Sequence, residues 1–189
     1  MGHVWRATRP HRSLPFASLR VGDDGSWQNL RVNDLRLITF RIGPETFVLD
    51  IMAVRQIVPY GGSTSLPTAP SFVEGIIVLR NEVIPIVDLR RRLYPRLAER
   101  IEQPLVLITH SSAGVIGLKV DEVRRIVTVA RDQLLPPPPL VKGIRGELLI
   151  AVIPHGDEVL LLIDMEAVLT EDEKRELAEA DLQAAPQSV

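Results

Sequence analysis

The stretch Gly75-Ile76-Ile77-Val78-Leu79-Arg80-Asn81-Glu82-Val83-Ile84-Pro85-Ile86-Val87-Asp88-Leu89 holds two apolar runs around three polar residues. Short apolar runs bounded by turn residues read as strands. The pair is therefore a hairpin, Gly75–Leu79 and Val83–Val87 around Arg80-Asn81-Glu82. Pro85 brings no backbone donor, which predicts an edge strand or a bulge there. Asp88 stands at a helix N-cap position, before a short helix from Leu89 that Pro95 stops.

The same order returns later in the chain. Val159–Ile163 is followed by Asp164-Met165, as Val83–Val87 is by Asp88-Leu89. Val123-Arg124-Arg125-Ile126-Val127 echoes Val54-Arg55-Gln56-Ile57-Val58 at a shift of 69. Val141-Lys142-Gly143-Ile144 echoes Val73-Glu74-Gly75-Ile76 at a shift of 68, and Pro136–Pro139 echoes the Pro67–Pro70 loop. Further hairpins are read from Leu37–Ile42 and Phe47–Ile51 around Gly43-Pro44-Glu45, and from Leu105–Thr109 and Val115–Val120 around Ser111–Gly114. The chain reads as two copies of one β unit, a duplication rather than a repeat array. The fold class is all-β: each unit of five strands is expected to curl into a barrel, which hides its edges. The halves fall at about 35–103 and 104–170. Thr170-Glu171-Asp172-Glu173 is a capping box that opens a C-terminal helix, residues 171–189 with its tail, docked through Leu177 and Leu182. Residues after Ala184 are expected to fray.

The 189 residues carry 22 basic and 24 acidic side chains, net −2, so nothing global asks for a polyanion. Aromatics are 4%, too sparse for stacking on single strands. The absence of cysteine removes disulfides, thiolate metal sites and a cysteine nucleophile. The longest apolar stretch, Leu148–Pro154, is far short of the roughly 20 residues of a membrane span. The N-terminus has no apolar signal core. The expectation is a soluble, cytoplasmic protein. Residues 1–34 carry scattered arginines and Pro and Gly breaks without periodicity, and read as a flexible extension.

No catalytic grouping stands out. His3, His11, His110 and His155 include no pair at metal-ligand spacing. No phosphate-binding glycine loop or nucleophile elbow occurs. His155 beside Asp157 reads as a turn histidine. Asp50, Asp88, Asp121 and Asp164 read as caps and turn formers. Arg90-Arg91-Arg92 reads as a solvated face. The remaining candidate is a surface. Arg80 at a hairpin tip offers five donors to a protein partner, unless Glu82 or another acid ties it down.

The run Leu66-Pro67-Thr68-Ala69-Pro70-Ser71-Phe72-Val73-Glu74-Gly75-Ile76-Ile77-Val78-Leu79-Arg80, then Val83-Ile84-Pro85-Ile86-Val87-Asp88-Leu89-Arg90, resembles the signature of the CheW family of chemotaxis adaptors. Gly117-Leu118-Lys119-Val120-Asp121-Glu122-Val123 resembles its second motif, and the likeness covers about residues 35–170. Here Val78 replaces the family's asparagine before Leu-Arg, Asn81 replaces the glycine after it, and Gln56 replaces a frequent glutamate.

The resemblance implies two interlocked five-stranded barrels around a shared core and no enzymatic activity. It implies a signal-transduction scaffold that couples methyl-accepting chemoreceptors to the histidine kinase CheA. The implied partners are the CheA regulatory domain and the receptor's cytoplasmic tip. No cofactor, metal, nucleic acid or direct membrane insertion is implied, and recruitment is to membrane receptor arrays. The receptor-binding residues it implies are Arg80, Asn81, Glu82, Val83 and Ile84 of the hairpin, with Gln56 and Val58 of a neighbouring strand. The alternatives are an adaptor of a non-flagellar pathway, such as one controlling type IV pili, a regulatory fragment of a larger signalling protein, or a small-molecule-binding regulatory double barrel.

Overall fold

The structure, a computed structural model, describes residues 34–67, 69–96, 101–112, 114–138 and 147–184, the last seven by backbone alone. The expected extension 1–34 thus lies almost wholly outside the described residues, as do the Val141–Ile144 echo, the Leu182 side chain and the residues after Ala184. Ten strands are present: β1 (Leu35–Ile42), β2 (Glu45–Asp50), β3 (Val54–Pro59), β4 (Val73–Leu79), β5 (Glu82–Asp88), β6 (Leu105–Ser111), β7 (Gly114–Val120), β8 (Glu122–Val129), β9 (Leu149–His155) and β10 (Glu158–Ile163). Helix α1 spans Leu89–Leu93 and α2 Glu171–Ala184.

The strands form two five-stranded sheets. Their orders are β8-β1-β2-β10-β9 and β3-β6-β7-β5-β4. The second sheet is contiguous in the chain, whereas the first takes two strands from the first half and three from the second. Each half therefore does not curl on itself. The halves exchange strands through two parallel pairings, β2 with β10 in one sheet and β5 with β7 in the other. The five-strand count and the duplication hold, and the unit of each sheet is not the unit of the repeat.

Neither sheet closes by backbone hydrogen bonds among the described residues, because the outer edges of β4 and β9 are already used. Thr64 pairs with Ile76 of β4, and Leu135 with Val152 of β9. The same bond explains Pro85, which sits in an inner strand. Pro85 faces Ile76, whose own N–H and C=O go to Thr64, so this pair exchanges no ladder bond. The ladder of β5 with β7 begins only at Ile86. A missing donor costs nothing at that position.

Local chemistry sets the ends of the elements. Gly43 takes φ 58 in the β1–β2 turn, the positive value a two-residue hairpin needs first. Asp88 accepts from Arg91 N at 3.0 Å and starts α1. Thr170 and Glu173 exchange the two bonds of the capping box, at 2.8 and 3.3 Å. One apolar core spans both sheets. It joins Phe40, Phe47 and Leu49 to Leu107 and Leu118, and is covered by Leu89 and Leu93 of α1 and Leu177 of α2. A second cluster of Ile84, Ile86, Val106 and Ile108 fills the curl of the β3–β7 sheet.

Candidate functional site

The β4–β5 hairpin turns through Arg80 and Asn81, both at positive φ, 51 and 66. This is the backbone of a tight type I′ turn. Asparagine adopts it readily, whereas a left-handed arginine costs roughly 1–2 kcal/mol. Arg80 and Asn81 are both exposed. Among the described residues the Arg80 guanidinium has no ion pair or side-chain hydrogen bond. The alternative in which Glu82 ties Arg80 down is not what the structure contains: Glu82 is held by Arg55, at 2.5 Å.

Arg55 reaches Glu82 because of a bulge. In β3, Val54 faces Thr109 and Gln56 faces Ile108, so Arg55 is the extra residue. A bulged residue is left out of the ladder pairing and bends its strand. Here its side chain crosses the open seam between β3 and the β4–β5 hairpin.

The other predicted residues divide. Val83 is half-buried and faces Val78, which is 72% exposed. Ile84, expected as groove surface, is 0% exposed. It pairs with Ile77 and points into the curl, where Val106 and Ile108 surround it. Gln56 and Val58 are half-buried on the inner face of β3, and Val58 packs against the Ile84 cluster. The outward positions of that strand are Arg55, Ile57 and Pro59. The hairpin thus brings together Arg80, Asn81, Val83 and Val78 on the outside, while Ile84 and Val58 support them from within. Sequence reasoning missed Arg55 and Val78. The recurrence of arginine at positions 55 and 124 was the available signal for the first.

A second charged group lies beside this sheet. Lys119 Nζ lies 3.0 Å from Asp88 and 3.1 Å from Glu74, and 4.8 Å above the Tyr60 ring. Burial pulls the Lys119 ammonium down, but the hydrogen bonds and charges of Asp88 and Glu74 outweigh it and hold its pKa above the ordinary 10.5. Arg90 grips Asp121 through two bonds, 2.7 and 3.1 Å, and Asp121 also accepts from Gly43 N at 2.6 Å. This joins α1 to the β1–β2 turn of the other sheet. Arg92 pairs with Glu173 through two bonds, 2.9 and 3.0 Å, and lies 4.2 Å over Phe72, which pins α2. The Arg90–Arg92 run is therefore not a solvated face: only Arg91 of the three is exposed. Each arginine here answers a carboxylate.

No helix among the described residues is long and apolar enough to cross a membrane. No group of three His, Asp or Glu side chains among them is arranged to hold a metal ion.

Comparison with known proteins agrees with this architecture. The family model of the CheW-like domain matches residues 36–173. The chain is 32% identical to a chemotaxis protein CheW of Treponema pallidum, over 90% of this chain and 96% of that one. It is also 32% identical to a probable chemotaxis protein CheW of Rhizobium etli, over 77% and 94% of the two chains. Among solved structures, the scaffolding protein TtCheW from Thermoanaerobacter tengcongensis superposes with a TM-score of 0.68 at 26% identity, covering 74% of this chain and 95% of that one. Two strand-exchanged five-stranded sheets, the ordered sequence motifs and these likenesses together place the chain in the CheW-like family.

Proposed function

We propose that this chain is a non-catalytic chemotaxis adaptor that couples methyl-accepting chemoreceptors to the histidine kinase CheA. It works in the cytoplasm and is recruited to receptor arrays at the membrane. Residues 35–170 form the adaptor domain, preceded by the extension 1–34 and followed by residues 171–189. The family and the named chemotaxis relatives support the adaptor role. The observation that carries the receptor contact is Arg80: exposed, without an ionic partner among the described residues, and kept in a left-handed turn. Backbone strain of this kind persists where the surroundings enforce it, and it concentrates at sites of function.

In this reading Arg80 anchors the receptor's helical tip by donating to carboxylate or carbonyl oxygens. Val83, with the adjacent Val78, gives the apolar surface on which a helix lies, and Asn81 completes the turn. Glu82, Ile84, Gln56 and Val58 act from behind this surface rather than on it.

Calorimetry with the regulatory domain of the cognate CheA and with a receptor-tip fragment tests the proposal. Wild type binds both. Arg80→Ala keeps the kinase and loses about tenfold or more toward the receptor, as a hot-spot arginine does. Wild type that binds neither partner overturns the adaptor reading. Equal receptor binding by Arg80→Ala overturns the role of Arg80 alone.

A further inference from the structure

The arginine–glutamate contact at the seam occurs twice. In the β3–β7 sheet, Arg55 of β3 meets Glu82 at the start of β5. In the other sheet, Arg124 and Arg125 of β8 each lie 3.3 Å from Glu158 at the start of β10. The bulge recurs as well. Ile38 faces Ile126 and Phe40 faces Val123, so β8 carries its extra residue between them, among Arg124 and Arg125. Both seams are bridged by a bulge arginine that holds the glutamate directly following a two-residue turn.

The two turns differ in what the glutamate stands beside. The second reads Gly156-Asp157-Glu158, with glycine at φ 62 and no cation in the turn. The first reads Arg80-Asn81-Glu82. There the glutamate lies two residues from an exposed arginine. A free carboxylate two residues away is within reach of a long guanidinium side chain, and an arginine–carboxylate hydrogen bond is among the stronger ones. Arg55 occupies the carboxylate first.

We infer that Arg55 is a positioning residue for the Arg80 anchor: by holding Glu82 across the seam, it keeps that carboxylate from capturing and neutralising Arg80. Arg55 need not touch the partner to set its affinity. The inference rests on the receptor-contact reading of Arg80 and deepens it.

The experiment measures calorimetric affinity of the full chain for a helical-hairpin fragment of the cognate receptor tip, with the kinase regulatory domain as control. Arg55→Ala is expected to weaken receptor binding about fivefold, within the range for a charge acting at an interface rim. Kinase binding is unchanged. Arg55→Lys, which keeps a cation beside Glu82, binds as wild type. The double variant Arg55→Ala with Glu82→Gln recovers most of the lost affinity, since the competing carboxylate is gone, and this non-additivity is the signature of capture. No recovery in the double variant overturns the inference, since the contact then acts as a brace or Arg55 itself meets the receptor. No loss in Arg55→Ala overturns it too. In both cases the Arg80 reading survives if Arg80→Ala still binds weakly. If Arg80→Ala binds like wild type, that reading falls and the inference falls with it.

Discussion

The two sheets repeat one another strand for strand, and they differ most in the charges they bury. Counting from the paired registers, Gly117 of β7 opposite Ile86 corresponds to Val48 of β2 opposite Leu162. Lys119 then corresponds to Asp50, and Arg90, two residues after the capping Asp88, corresponds to Glu166, two after Asp164. Where one crossover between sheets carries Asp121 gripped by Arg90, the other carries Met52, 79% exposed. Glu166 instead accepts from Ser112 N at 2.8 Å. The backbone duplication has been kept and the polar interior has not. The β3–β7 sheet, which presents Arg80, is braced through its own crossover carboxylate, whereas in the other sheet Glu166 pairs with Lys174 of α2 at 3.6 Å.

Asp121→Ala breaks this comparison hardest. The Arg90 and Asp121 side chains are 10% and 13% exposed, so removing Asp121 takes a two-bond carboxylate from a nearly buried guanidinium. A cost of about 3–5 kcal/mol is expected in denaturant unfolding. Met52→Ala, at the corresponding crossover, is expected to stay within about 0.5 kcal/mol. Similar costs for the two would show that the ion pair does not distinguish the sheets.

Gly75→Ala comes next. Gly75 has φ 143, and an added Cβ would stand 2.2 Å from the Thr64 carbonyl oxygen. Overpacking alone costs about 1–3 kcal/mol, and the Thr64–Ile76 bridge is what yields. The corresponding residue of β9 is already Ala151, opposite Leu162 as Gly75 is opposite Ile86. Ala151→Gly should cost only about 0.5–1 kcal/mol. A tolerated Gly75→Ala would mean that the bridging segment is not held.

Lys119 sharpens the contrast through pH. Its folded pKa is raised, so its stabilisation is complete below 10.5 and is lost as pH rises through the folded value. Melting temperature followed from neutral to strongly alkaline pH should therefore fall more steeply above 10.5 in wild type than in Lys119→Met. Parallel curves would exclude Lys119 as the source. The smallest effect is expected at the turn. Arg80→Gly relieves the left-handed strain but adds glycine entropy, a net gain of several tenths of a kcal/mol. Higher stability with weakened receptor binding would show that the strained arginine is kept for contact.

Much of the fold was legible because its signals are local. Alternating apolar runs, Gly and Pro turns, Asp88 as a cap and Thr170–Glu173 as a capping box are each decided within a few residues. The echoes revealed the duplication for the same reason. The exchange of strands was not legible in the residues themselves, since nothing in the sequence of β2 says that its neighbour is β10 rather than a strand of its own half. Around the candidate site, the tight turn of Arg80 and Asn81 was legible, since turn chemistry is local. The facing of Ile84 was misread, because strand alternation has two phases and only packing against Val106 and Ile108 selects one. The partner of Glu82 was out of reach, since Arg55 meets it through a bulge and across a seam. The Arg90–Arg92 run looked solvated because its carboxylates, Asp121 and Glu173, lie far along the chain.

The contiguity of one sheet has a consequence for the order of synthesis. When Val120 leaves the ribosome, all five strands of the β3–β7 sheet exist, and the other sheet has only β1 and β2. Its remaining strands end at Ile163, roughly 2–9 s later at about 5–20 residues per second. Through that interval Phe40, Phe47 and Leu49 have only the finished sheet to lean on, and β2 offers a bare edge where β10 will later pair. The early sheet is thus a template on which the late one is laid, and the nascent chain is most open to wrong partners in the seconds before β10 arrives.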